Sequence, residues 1–175
     1  MIISRTPFRI SFFGGGTDYP DWYNNQSGAV ISTTINKFCY ITCRQLPPFF
    51  KYKYRIRYHA KEETKSVNAI KHPSVKACIK CLGIKDGLEI VHHADLPARS
   101  GLGSSSTFTV GMLHALNTYK GKIISKRKLA YDAINIEQNV IKECVGSQDQ
   151  TNASFGGLNH IEFMPGNKIV VNPIV

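Results

Sequence analysis

What this 175-residue sequence lacks narrows its reading first. No apolar run approaches the ~20 residues that a membrane-spanning helix needs. The start, Met1-Ile-Ile-Ser-Arg, has neither the basic segment nor the long apolar stretch of a secretory leader. There is no internal repeat and no low-complexity tract. Five cysteines, an odd number, argue against a full disulfide framework and for a reducing compartment. Together these absences point to a cytoplasmic chain with no membrane partner. Cys78 and Cys81 form a CxxC with no second pair to complete a zinc site. Three residues apart on an expected helix, they read as sharing a buried face rather than holding zinc. A hydrophobic content of 42% against 19% charged residues is too apolar for disorder.

Acid is scarce as well: 12 Asp and Glu stand against 22 Lys and Arg, for a net charge of +10. Much of the excess lies in residues 51–80. There, Lys51-Tyr-Lys-Tyr-Arg-Ile-Arg-Tyr puts charge on one face of a strand and mostly aromatic residues on the other. Such a face is simply solvated, or steers anionic ligands into a cleft, or meets nucleic acid. No zinc-finger or RNA-recognition signature accompanies it, so nucleic acid is not expected as a partner. His59, His72, His114 and His160 have no partner legible in the sequence and read as surface or core residues.

Hydrophobic periodicity predicts strands over 2–4, 9–12, 38–44, 53–58, 88–92, 157–163 and 168–171, and helices over 19–25, 67–82, 104–119 and 126–144. This is an α+β pattern, one sheet with helices packed on it. Three segments within it carry chemistry. The first, PARSGLGSSST from Pro97 to Thr107, sets Gly101, Leu102 and Gly103 before Ser104, Ser105 and Ser106 at the mouth of a helix. Glycines admit a ligand close to the backbone, and free N–H groups with the helix dipole suit phosphate. A serine-capped helix after a glycine turn is the plainer alternative. No Lys precedes the hydroxyl residues, so a Walker loop does not fit.

The second segment runs from Pro7 to Pro20. A strand carrying Arg9 ends in Gly14, Gly15 and Gly16, followed by Thr17 and Asp18. Asp18 has the acceptors that vicinal hydroxyls require, or it starts a short helix as a cap or Asx turn. The third runs from Glu137 to Gly157, with Glu137 on a helix and Asp149 twelve residues later, beyond Gly146. Carboxylates so placed suit magnesium binding and proton abstraction. Taken singly, each also reads as an exposed helix charge or a turn residue.

Together the three segments, in this order, resemble the galactokinase, homoserine kinase, mevalonate kinase and phosphomevalonate kinase (GHMP) superfamily, in outline over the whole chain. The resemblance implies the N-terminal domain of those enzymes, a ribosomal-protein-like two-layer α/β sandwich spanning residues 1–175. It implies ATP and magnesium as cofactors. Gly101, Leu102, Gly103, Ser104, Ser105 and Ser106 would wrap the ATP phosphates, and Ser105 and Glu137 would hold magnesium. Asp149 would be the catalytic base with Arg9 beside it as counter-charge. Gly15, Gly16, Thr17 and Asp18 would line the sugar site.

Galactokinases carry Glu and His where this chain has Gly15 and Gly16, which leaves room for a different or larger acceptor. The string GGGTDYP is similar to the branch acting on the anomeric hydroxyl, with D-glycero-D-manno-heptose 7-phosphate expected ahead of L-fucose-like sugars. The resemblance further implies a C-terminal domain with a third glycine-rich motif, of which nothing follows residue 163. The expectation is therefore an N-terminal domain alone. Its exposed surface would be open to a homodimer, and by itself it would be weakly active or bind without turnover.

Overall fold

The computed structural model describes residues 1–98 and 100–175. Arg99, within the glycine–serine motif, lies outside the described residues. The strands are β1 (Ile2–Phe13), β2 (Gly28–Gln45), β3 (Tyr54–Arg57), β4 (Lys61–Thr64), β5 (Leu88–Ala94), β6 (Leu158–Met164) and β7 (Lys168–Pro173). The helices are α1 (Pro20–Gln26), α2 (Pro73–Cys81), α3 (Ser104–Tyr119), α4 (Lys126–Asn135) and α5 (Gln148–Phe155). A 3-10 turn (Val67–Ala69) precedes α2, and a π-turn (Ile136–Val140) extends α4.

All seven strands form one sheet in the order β4-β3-β5-β2-β6-β7, with β1 also paired to β2. The 18-residue β2 is its spine. β1 runs antiparallel to it from Ile31 to Cys43, while β5 takes Cys39–Gln45 and β6 takes Gly28–Thr33. Val30, Ile31, Thr33, Thr34 and Ile35 have the β-branched side chains that suit a pleated surface. The predicted strand nonetheless started ten residues too late, because Ser32, Thr33, Thr34, Asn36 and Lys37 interrupt the apolar alternation. Buried Ser32 is accommodated by donating to Asn152 Oδ1 at 2.8 Å.

The helices pack on one face of the sheet. α3 is buried along most of its length and touches β1, β2 and the other large helices. Its Gly111 lets the backbones approach: a Cβ there would sit 2.9 Å from Thr6 Oγ1, and Ser4 Oγ donates to the Gly111 carbonyl at 2.8 Å. A second, smaller core joins Tyr23, Val30, Ile134, Ile161, Phe163 and Ile169.

The opposite face explains the alternating basic strand. Lys61, Glu63, Arg55, Glu89 and Arg44 form a ladder of ion pairs across β4, β3, β5 and β2, with contacts from 2.5 to 3.6 Å. The expected shared face of Cys78 and Cys81 is corrected: Cys78 is buried and Cys81 exposed. Among the described residues no helix is long and apolar enough to cross a membrane.

Candidate active site

The mouth of α3 is built from backbone. Gly101 and Gly103 both take φ of 76°, and a Cβ on Gly101 would meet nothing within 4 Å among the described residues. Gly103 is the N-cap, with no side chain bonded there. The first helical bond runs from the Thr107 N–H to the Gly103 carbonyl, so the N–H groups of Ser105 and Ser106 precede it and face the positive end of the helix dipole. Arg9 ties this loop to β1. Its backbone N–H donates to the Leu102 carbonyl (3.3 Å) and its Nη1 to the Gly101 carbonyl (3.0 Å).

The same guanidinium holds Asp149, Nε to Oδ1, at 2.6 Å. Asp149 occupies the first turn of α5, a helix that the sequence pattern does not predict. A Cβ on Gly103 would stand 3.1 Å from Asp149 Oδ2 and 3.4 Å from Arg9 Cγ. The glycine loop, the cation and the carboxylate thus converge on one point from β1, α3 and α5.

Glu137 is fully buried. It lies in the π-turn, where the Ile141 N–H reaches back to the Ile136 carbonyl. Such turns rotate a side chain out of helical register and recur at functional sites. Its Oε2 accepts from Ser106 Oγ at 2.7 Å and from Gln150 Nε2. Its Oε1 is buried without a hydrogen-bond partner among the described residues. Burial is the main influence and pushes the carboxyl up, opposed by the Thr109 and Ser106 hydroxyls and the Gln150 amide. The structure thus sets Ser106 against Glu137, whereas Ser105, singled out in the sequence as the metal's hydroxyl ligand, opens onto the adjoining cleft.

The glycine turn after β1 divides its residues between frame and space. The Thr17 hydroxyl donates to the Gly14 carbonyl (2.8 Å) and accepts from the Ala29 N–H (3.1 Å). Asp18 is 1% exposed. Its Oδ1 accepts from the Gly16 N–H at 3.1 Å, and its Oδ2 from the Gln148 N–H at 3.0 Å. Asp18 therefore caps the start of α5. Burial pushes its carboxyl up against these backbone donors. Gly146 must lack a side chain, since a Cβ would lie 1.9 Å from Asp18 Oδ2. Gly15 and Gly16 remain as open room: the nearest atom to a Cβ on Gly15 is Gln148 Nε2 at 3.7 Å, and Gly16 has nothing within 4 Å.

A cleft of about 510 Å³ adjoins the α3 mouth, bounded by Ser104 and Ser105 on one side and by Tyr58, His72, His92 and Phe108 on another. The His72 ring stacks on Phe108, with centroids 4.6 Å apart, and His92 meets Phe108 edge-on at 5.0 Å. Burial lowers His72, and burial with neighbouring histidines lowers His92 to about 4, so both rings are neutral at pH 7. The sequence reading left His72 without a partner and did not group it with Tyr58, His92 and Phe108. They are scattered from residue 58 to 108 with no shared motif, and only the fold brings them together.

With this geometry in place, comparison with known proteins is informative. The family model described as "GHMP kinases N terminal domain" matches residues 68–157. Along 99% of its length the chain is 28% identical to the D-glycero-alpha-D-manno-heptose 7-phosphate kinase of Campylobacter jejuni, covering 54% of that protein. It is 24% identical to the galactokinase of Chloroflexus aurantiacus, covering 98% of this chain and 45% of the relative. The chain thus spans about half the length of these curated relatives. A crystal structure of a D-glycero-D-manno-heptose 1-phosphate kinase from Bacteriodes thetaiotaomicron superimposes on the whole chain with a TM-score of 0.90, at 26% identity and over 60% of that structure.

Proposed function

This chain belongs to the GHMP kinases through their N-terminal domain, and from that premise we propose that it serves an ATP-dependent sugar kinase acting at an anomeric hydroxyl. D-glycero-D-manno-heptose 7-phosphate is the first choice of acceptor and an L-fucose-like sugar the second. Residues 1–175 form the nucleotide- and sugar-binding domain in this reading. The observation that carries it is the Arg9–Asp149 pair, 2.6 Å apart and pressed against Gly103 at the mouth of α3.

The roles follow from position. ATP phosphates lie over the N–H groups of residues 101–106, where the helix dipole favours anions, and the base enters the cleft beside Phe108. The acceptor enters over Gly15 and Gly16. Its hydroxyl oxygen attacks the γ-phosphorus as the bond to the β-phosphate oxygen breaks, and Asp149 takes the proton. Positioning and charge do most of the work in such a transfer.

Magnesium fits the donor set. The orphaned Glu137 Oε1 is a buried carboxylate oxygen that a cation would satisfy, with a serine hydroxyl beside it. No cluster of three or more His, Cys, Asp or Glu ligands occurs among the described residues. This suits an ion that takes few protein oxygens and completes its shell with phosphates and water. Bound there, it would neutralise phosphate charge.

ADP release measured across a panel of sugars and sugar phosphates, on the full-length gene product and on this chain, tests the reading. Turnover of the full-length protein that is strongest with the heptose 7-phosphate is expected, with little from the chain alone. ATP binding without turnover in either would leave a nucleotide-binding protein and no kinase.

A further inference from the structure

We infer that Glu143 reads the ribose of the nucleotide, accepting its vicinal hydroxyls between the phosphate-binding serines and the aromatic wall of the cleft. The inference rests on the kinase reading above and deepens it: the phosphate donor is a ribonucleoside triphosphate, selected against its deoxy forms by a residue no motif singled out.

The backbone brings Glu143 there by leaving the helix that the sequence pattern predicts through residue 144. Beyond the π-turn, Lys142 takes φ of 63°, a left-handed conformation uncommon for a residue with a side chain. The Glu143 N–H then turns back to the Glu137 carbonyl at 2.8 Å. Backbone in so sparsely populated a region persists only where its surroundings impose it, and such places cluster at ligand sites.

The Glu137 side chain in turn accepts from Ser106 Oγ in the first turn of α3. Glu143 is thereby tied to that turn. Ser104 and Ser105 lie at its start and Phe108 at its end, and all three line the cleft together with Glu143. From Ser104 to Phe108 the helix rises about 6 Å, a span that suits the ribose between a base and its first phosphate. With phosphates over the serines and the base beside Phe108, the ribose passes along this turn.

Among the described residues that line the cleft, Glu143 is the one carboxylate. It has neither a hydrogen-bond donor nor a cation as partner among the described residues. The residue is half-buried, and its oxygens are not closed off from solvent as Glu137 Oε1 is. A carboxylate only accepts, and the like charge of a triphosphate repels it. What it can take from the nucleotide is therefore a neutral donor. Two vicinal ribose hydroxyls match its two oxygens, the same chemistry by which an acidic residue holds ribose in dinucleotide-binding folds.

Nucleotide discrimination by the full-length protein tests this, with ATP, 2′-deoxy-ATP and 3′-deoxy-ATP as donors. The wild type should show a KM about tenfold higher for each deoxy form than for ATP, the worth of one hydrogen bond to a charged acceptor. Glu143→Met keeps the length of the side chain and removes both acceptors. It should raise the KM for ATP about tenfold and bring the three nucleotides within about twofold of one another, with the sugar KM unchanged. A variant that weakens all three equally and keeps the wild-type ratios places the carboxylate on magnesium or on the fold, and overturns the inference. So does a wild type that takes ATP and both deoxy forms equally, a result that decides alone should Glu143→Met not fold. Absence of turnover with nucleotide still bound counts against the kinase reading and not against Glu143. The calorimetric affinities of the same three nucleotides then decide, and equal values in the wild type overturn the assignment. A wild type that binds none of them overturns both readings.

Discussion

Glu137 and Asp18 make an instructive pair of regions. Both carboxylates are buried, burial pushes both upward, and both reach the first turn of α5, Glu137 through Gln150 and Asp18 through Gln148. They differ in their partners. Each Asp18 oxygen accepts from a backbone N–H, whose position the chain path fixes. Glu137 is held only by side chains, Ser106 and Gln150 on one oxygen with the Thr109 hydroxyl close by, and its other oxygen accepts no hydrogen bond among the described residues. Side-chain donors rotate away when a ligand arrives, and backbone donors do not. Burial and an upward shift are therefore common to both carboxylates, whereas the kind of donor and the unpartnered oxygen set apart Glu137, the one proposed to bind metal.

The largest expected effect sets the scale for that contrast. On the kinase reading, Asp149→Asn in the full-length protein should reduce turnover by about 10²–10⁴-fold, the usual worth of a general base, while ATP still binds. Wild-type turnover in this variant would remove Asp149 from the chemistry. Next comes Glu137→Gln, which should raise the magnesium concentration for half-maximal rate by about 10–100-fold. Its melting temperature without metal should hold or rise, because a neutral amide is easier to bury than a carboxylate.

Asp18→Asn should behave in the opposite way, losing roughly 1–3 kcal/mol of stability by turning an NH₂ toward a backbone N–H that had a charged acceptor. Chemical denaturation of the two variants side by side checks this. If Asp18→Asn melts like wild type and Glu137→Gln does not, the distinction between frame and ligand is inverted.

The smallest effect concerns pH. His92 has a folded value of about 4, below its ordinary 6.5. Its contribution to stability is therefore complete above 6.5 and lost as pH falls through 4. The raised carboxyls of Asp18 and Glu137 run the other way, contributing fully below their ordinary values of 3.8 and 4.5 and losing that contribution as pH rises. His92→Asn should flatten the decline of the melting temperature between pH 6.5 and 4 relative to wild type. Parallel curves for the two proteins would mean that His92 is equally free to charge in the fold.

In the sequence, the candidate site residues stood out more plainly than the elements that carry them. Gly101, Gly103, Arg9, Glu137 and Asp149 were all legible as candidates, because glycine runs, serines at a helix start and carboxylates past a glycine are local signals. α5 was not, since its buried residues Gln150, Thr151 and Asn152 are polar and give no apolar stripe. The helix predicted over 126–144 continues apolar through Val140 and Ile141, yet its backbone widens into a π-turn at Ile136, where Glu137 turns inward. The helix predicted over 67–82 starts instead at Pro73, whose fixed φ suits the first helical position. Asp18 shows the deeper limit. Its residue type fits both a sugar contact and a helix cap, and the cap becomes visible only once Gly146 and Gln148, some 130 residues away, are in place.

The long β2 strand also orders the assembly of the molecule in time. β1, β2 and β5 pair using the first 94 residues, a self-contained antiparallel frame. β6 reaches β2 from the far end of the sequence, and Ser32 finds Asn152 across 120 residues. Contacts of such separation pay their loop-closure cost before they are rewarded, and so close late in folding. Asp149 stands among them, three residues before Asn152 on α5. A chain early in refolding would therefore hold the sheet of its first 94 residues before Asp149 reaches its place beside Arg9.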